Sequence, residues 1–147
     1  AGCNLSFAGL KTAVLRESKK IMENKSLKYN LAASFQYTIN KILYKKTKIA
    51  VNMFFEKTNA KNLQLIVAGG VAANQSIRAN LSSLSKEIGI KIIFPEIKFC
   101  GDNAAMIAMV GLEKFKIKQF NNLDYPAKPR WPLDENAAFL KGAGVKI

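Results

Sequence analysis

Apolar positions recur at helical spacing through the first part of the chain, then give way to short continuous apolar runs. Leu10, Ala13, Val14 and Ile21 share one helical face, which predicts a first helix after Gly9. The polar stretch 23–28 interrupts it. Leu31, Phe35, Ile39, Ile42, Ile49 and Met53 then form a second stripe, with Lys41, Lys45, Lys46 and Lys48 largely off it. That pattern predicts a long helix over about 31–56, with Asn30 as its N-cap.

Residues 63–68 are apolar except for Gln64, the pattern of a buried parallel strand. Gly69 and Gly70 stop the run. Ile77, Leu81, Leu84 and Ile88 follow at spacings of four, three and four, predicting a helix over 75–88 that Gly89 ends. A second strand is predicted over 90–94, stopped by Pro95. The strands should be parallel, with the helix crossing between them in the right-handed sense. Residues 5–7 are a third, short strand candidate. Residues 104–112 are apolar almost all round, which predicts a helix buried on most sides. Beyond residue 121, Pro126, Pro129 and Pro132 around Trp131 exclude regular structure and predict a tail wrapped over the surface.

Strand, helix, strand, helix at these spacings defines an α/β domain with a small parallel sheet flanked by helices. The predicted division is a lobe over 1–120 and a tail over 121–147. Two strands and one short candidate make a sheet too narrow for four helices, so the sequence reads as part of a larger protein.

Composition narrows the function. A formal net charge of +13 favours a polyanionic partner such as RNA, or an acidic partner protein, although the excess of Lys over Arg and the abundance of Asn and Ile fit a coding bias equally well. The chain has no histidine, so it cannot build an imidazole proton shuttle or histidine metal cluster by itself. No apolar run reaches the roughly 18–20 residues of a membrane span, and residues 1–5 lack the pattern of a secretory signal. Cys3 and Cys100 lack metal-ligand spacing, so reduced thiols and a cytoplasmic location are the expectation.

Two turns carry the candidate chemistry. Gly69-Gly70-Val71-Ala72-Ala73-Asn74 lies between a predicted strand and a helix N-terminus, where α/β sheets collect ligands and where glycines admit a flat ring or phosphate close to the backbone. Asn74 reads either as the cap of the next helix or as a ligand contact. Cys100-Gly101-Asp102-Asn103 follows the second strand. Asp102 reads either as a helix cap or as a metal ligand, and as a ligand it needs others from outside the chain or from a nucleotide phosphate. Lys11 reads as a surface lysine or a phosphate contact. Neither cysteine has a histidine partner for thiol catalysis.

Several segments together resemble the tRNA adenosine threonylcarbamoyltransferases, once named as glycoproteases. They are Leu5-Ser6-Phe7-Ala8-Gly9-Leu10-Lys11-Thr12, Leu31-Ala32-Ala33-Ser34-Phe35-Gln36, Val67 to Asn74 with Ile77-Arg78, Phe99 to Ala108, and Arg130-Trp131-Pro132-Leu133. Gly101 stands where the family usually has threonine, and Ala104 where it usually has glycine. The resemblance implies a partial actin-like (ribonuclease H-like) lobe from an enzyme that transfers a threonylcarbamoyl group from threonylcarbamoyl-AMP to the adenosine next to the tRNA anticodon. It implies that Gly69, Gly70 and Asn74 contact the nucleotide. It implies that Asp102 ligates one divalent metal, iron by resemblance with zinc or magnesium as alternatives, shared with an N-terminal lobe that carries two histidines. Companion proteins of the same pathway are implied partners. No general base is assigned, and this chain alone is expected to be inert. The alternatives are a non-catalytic dimerisation or RNA-docking lobe, or another carbamoyltransferase or sugar kinase of the same fold. A peptide-hydrolysing site has no support in these residues.

Overall fold

The computed structural model describes residues 2–21, 24–58, 62–127 and 129. Contacts group the chain into two compact units, Ala1–Asn103 and Ala104–Ile147.

In the first unit, helix α1 spans Ala8–Lys20 and helix α2 spans Lys25–Thr58. Helix α2 starts earlier than its apolar stripe predicts. Asn24, not Asn30, occupies its start: the Asn24 Oδ1 accepts from the Leu27 amide at 3.1 Å, the bond that satisfies an orphan N–H at a helix entrance. The polar turn over 25–30 is a fully exposed first stretch of helix rather than a break.

Strand β1 covers Gln64–Ile66 and strand β2 covers Lys91–Ile93. They pair in parallel, with Gln64 opposite Lys91, Leu65 opposite Ile92 and Ile66 opposite Ile93. Helix α3, Gln75–Ile88, joins them, as the apolar spacing predicts. It is capped at both ends. Gly89 adopts the left-handed conformation at φ 68°, and the Ile90 amide returns to the Ser85 carbonyl at 3.3 Å. Residues 5–7 form no strand. They are exposed and lead straight into α1.

The core sits where α3 meets α2 and the strands. Ile77, Leu81 and Leu84 are buried and pack against Ile39, Leu43 and Tyr44 of α2, and against Val67, Ile92 and Phe94 around the sheet. Tyr44 and Lys48 of α2 both reach the Glu87 carboxylate of α3. The opposite side of the sheet is open. Ile66 remains 69% exposed, although parallel strands are normally covered on both faces. Residues 63–68 therefore depart from the buried strand that their composition predicts.

The second unit contains helix α4, Ala104–Lys116. Its residues are exposed along the whole helix, Ile107 and Val110 included, against the expectation of burial on most sides. An apolar sequence marks a helix that needs a cover, and the described residues supply none. Residues 119–122 and 125–127 have no regular structure, as the prolines predict. Trp131 and Pro132 of the tail motif lie outside the described residues. Among the described residues, no helix is long and apolar enough to cross a membrane.

Candidate functional site

Both candidate turns leave the sheet at the same edge. The chain departs from β1 into the glycine turn and from β2 into the 95–103 loop. Because the strands are parallel neighbours, these two segments begin side by side at the carboxyl ends, where open α/β sheets bind ligands.

Gly69 has φ 87° and ψ 173°, a backbone region that side-chain-bearing residues rarely enter. Gly70 then opens a short 3₁₀ turn over Gly70–Ala73, closed by the Ala72 amide on the Gly69 carbonyl at 2.9 Å. A Cβ at either glycine would meet nothing within 4 Å. The turn therefore faces open space, and the positive φ, not crowding, is what requires glycine at 69.

Asn74 caps α3, as one of its two readings had it. Its Oδ1 accepts from the Ile77 amide at 3.1 Å, and its Nδ2 donates to Gln36 Oε1 at 2.8 Å. Capping does not exhaust the side chain, because a primary amide carries two donors and two lone pairs. Gln36 in turn donates to Asn40 Oδ1 at 3.1 Å, and Asn40 donates to Ser76 Oγ at 2.8 Å. Helix α2 thus fixes the amide plane of Asn74. The partnership with Gln36 was invisible in the sequence, where 38 residues separate the two.

Asp102 is exposed and, among the described residues, makes no hydrogen bond or ion pair. The neighbouring Asn103 Nδ2 donates to the Gly101 carbonyl at 3.0 Å and holds the turn closed. No group of three metal-ligating side chains occurs among the described residues. An exposed, unengaged carboxylate suits one oxygen ligand of a divalent ion, and the remaining ligands must come from elsewhere. Lys11 is exposed on α1.

The residue that sequence reasoning left without a role is Arg78. Its Nε donates to the Ala72 carbonyl of the glycine turn, and its Nη2 donates to the Pro95 carbonyl at 2.7 Å and contacts Cys100 Sγ at 3.1 Å. The guanidinium carbon lies 5.0 Å from the centroid of the Phe94 ring, within range of a cation–π contact. One signal was available: a cation in the amino-terminal turn of a helix opposes the helix dipole, which hints that acceptors elsewhere hold it.

Two concave surfaces lie away from these turns. An apolar groove of about 580 Å³ between α1 and α2 is lined by Val14, Leu15, Leu31 and Phe35 among others, and one of about 470 Å³ by Lys41, Tyr44 and Asn80 among others.

Fold and candidate site together define an α/β lobe in which two turns follow parallel strands at one edge of the sheet. Comparison with known proteins supplies the family. The family model described as tRNA N6-adenosine threonylcarbamoyltransferase matches residues 1–109, and the chain belongs to that family, whose actin-like, ribonuclease H-like fold it represents in part. A protein of that name from Pelagibacter ubique is 64% identical over 146 residues, covering 99% of this chain and 41% of the relative. Another from Cereibacter sphaeroides is 42% identical over 150 residues, again covering 99% of this chain and 41% of the relative. One from Rickettsia rickettsii is 44% identical over 137 residues, covering 90% and 39%. The chain thus spans about two fifths of the length of the curated relatives it matches.

Proposed function

We propose that this chain is the part of a tRNA adenosine threonylcarbamoyltransferase that holds the adenylate donor and presents one metal ligand. The observation that carries the reading is the pair of turns: 69–74 and 95–103 start side by side at the carboxyl edge of the sheet, one open and glycine-lined, the other bearing an unengaged carboxylate.

In the reaction, the N6 amine of the adenosine next to the anticodon attacks the carbamoyl carbon of threonylcarbamoyl-AMP. The new C–N bond replaces the C–O bond to the phosphate, AMP leaves with that electron pair, and the nitrogen gives up one proton. Gly69 and Gly70 admit the adenylate against bare backbone. The remaining donor and lone pair of Asn74 hydrogen-bond to the nucleotide, while Ile77 and Gln36 hold the amide in place. Fixing the donor in this way lowers the entropic part of the barrier. Asp102 would supply one oxygen ligand of a divalent ion, iron with zinc or magnesium as alternatives, whose charge would offset negative charge on the carbonyl oxygen. The other ligands and the companion proteins of the pathway lie outside this chain, no proton acceptor is assigned, and the setting is cytoplasmic.

A docking lobe without catalytic residues is the second reading, favoured by the exposed apolar length of α4. One experiment separates the two. The chain alone, and the chain completed to the full length of its relatives, are each incubated with threonylcarbamoyl-AMP, tRNA and the companion proteins, and digested tRNA is analysed by mass spectrometry. Modified adenosine should appear only with the completed protein. Turnover by the chain alone defeats the two-lobe account, and an inert completed protein favours the docking lobe.

A further inference from the structure

Past the last rung of the ladder, where the Val67 amide donates to the Ile93 carbonyl at 2.9 Å, the two turns run on as separate segments. Arg78 joins them again, with hydrogen bonds to Ala72 on one segment and to Pro95 and Cys100 on the other. We infer that Arg78 is a positioning residue that clasps the glycine turn to the 95–100 loop and so sets Asp102 relative to the bound adenylate. The inference rests on the functional reading above.

The geometry suits arginine and no other side chain. Three acceptors on two segments, the carbonyls of Ala72 and Pro95 and the sulfur of Cys100, are met by one planar group. A guanidinium presents five N–H donors in a fixed fork, whereas an ammonium is a point donor that cannot serve separated acceptors along set directions. The Phe94 ring under the guanidinium limits its swing. Both ends of the clasp are well buried. Ala72 is 1% exposed and Cys100 is 2% exposed, so losing Arg78 would leave the Ala72 and Pro95 carbonyls without their guanidinium partner in a partly buried region. Arg78 forms no ion pair among the described residues. Its role there is connection rather than charge neutralisation. The 3₁₀ turn Ile97–Phe99, which closes with the Cys100 amide on the Ile97 carbonyl at 3.0 Å, carries the clasp from Pro95 through Cys100 to within two residues of Asp102.

Cys100 provides a built-in reporter. In a Cys3→Ser background it is the only thiol, so its reaction with a chromogenic aromatic disulfide measures how often the 95–100 loop opens. Arg78→Met and Arg78→Lys are compared with the parent and with Lys86→Met, an exposed position on the same helix, with melting temperatures recorded beside the rates. Labelling should accelerate at least about tenfold in Arg78→Met, by a smaller factor in Arg78→Lys, and not at all in Lys86→Met. A rate in Arg78→Met within about twofold of the parent overturns the clasp. The second arm uses the protein completed to the length of its relatives. With threonylcarbamoyl-AMP, Arg78→Lys should lower kcat per folded molecule, the folded fraction being measured by circular dichroism at the assay temperature, at least about tenfold while KM for tRNA stays within about twofold; a fall in kcat that only follows the folded fraction overturns the positioning role. Unchanged kcat with a faster Cys100 overturns the positioning role. A completed parent that transfers nothing sinks the functional reading and the positioning role together, while the labelling rates still decide whether the clasp exists.

Discussion

Replacing Asp102 separates a metal ligand from a helix cap, because the structure has already reduced what capping can contribute. Side-chain caps are worth about 0.5–2 kcal/mol when removed. That cost applies only where the side chain makes the capping bond, and Asp102 makes no hydrogen bond among the described residues, whereas Asn103 holds the turn through the Gly101 carbonyl. An exposed side chain with no partner changes stability by no more than about 0.5 kcal/mol when replaced. For a unit of this size that corresponds to less than about 4 °C in Tm. Both Asp102→Asn and Asp102→Ala should therefore melt like the parent. Function should respond in the opposite way. Asparagine keeps the size and one carbonyl oxygen but loses the negative charge that a hard divalent cation requires. In the protein completed to the length of its relatives, both variants should retain little metal by elemental analysis. Both should modify tRNA at least about tenfold more slowly, a loss of roughly 1.4 kcal/mol in transition-state stabilisation. If Asp102→Ala destabilises by 1 kcal/mol or more while metal content and turnover follow only the folded fraction, Asp102 is a cap after all. Parent-like metal and activity in Asp102→Asn would remove it from the site.

Three further outcomes follow from single contacts. Leu84 of α3 is fully buried in the cluster that packs on α2 and the sheet, and Leu84→Ala should cost about 2–5 kcal/mol in urea or thermal unfolding; a loss below about 1 kcal/mol would mean that this core is not packed as described. Gly89→Ala should cost about 1–2 kcal/mol through its left-handed φ of 68° alone, since a Cβ there meets nothing within 4 Å, and a neutral result would show that the α3 terminus relaxes freely. Asn74→Ser keeps an N-cap oxygen but gives up the bond to Gln36, so the unfolding free energy should fall by about 0.5–1.5 kcal/mol while adenylate affinity in the completed protein, read by calorimetry, falls at least about fivefold. Unchanged affinity would leave Asn74 as a cap only.

By itself the sequence determined the parts of this protein whose causes are local. Helix α3 was legible at both ends because an asparagine cap and a left-handed glycine act within a few residues of themselves, and its buried face was legible because Ile77, Leu81 and Leu84 repeat at the helical period. The two parallel strands were legible as apolar runs broken by Gly69 and Pro95, and the candidate turns followed from them. Tertiary structure decided what depends on distant partners. The start of α2 was misread because a polar first turn resembles an interruption when the cap at Asn24 goes unnoticed. Residues 5–7 look like a strand but find no ladder to join. Apolar composition in β1 and α4 reported a need for burial without saying what meets it, so Ile66 and Ile107 stand exposed in this chain. The long-range hydrogen bonds that hold the candidate turns, Gln36 to Asn74 and Arg78 to Ala72, Pro95 and Cys100, have no periodicity to betray them. A hydrogen bond between segments is set by where the packed elements bring its atoms, and only the folded chain fixes that.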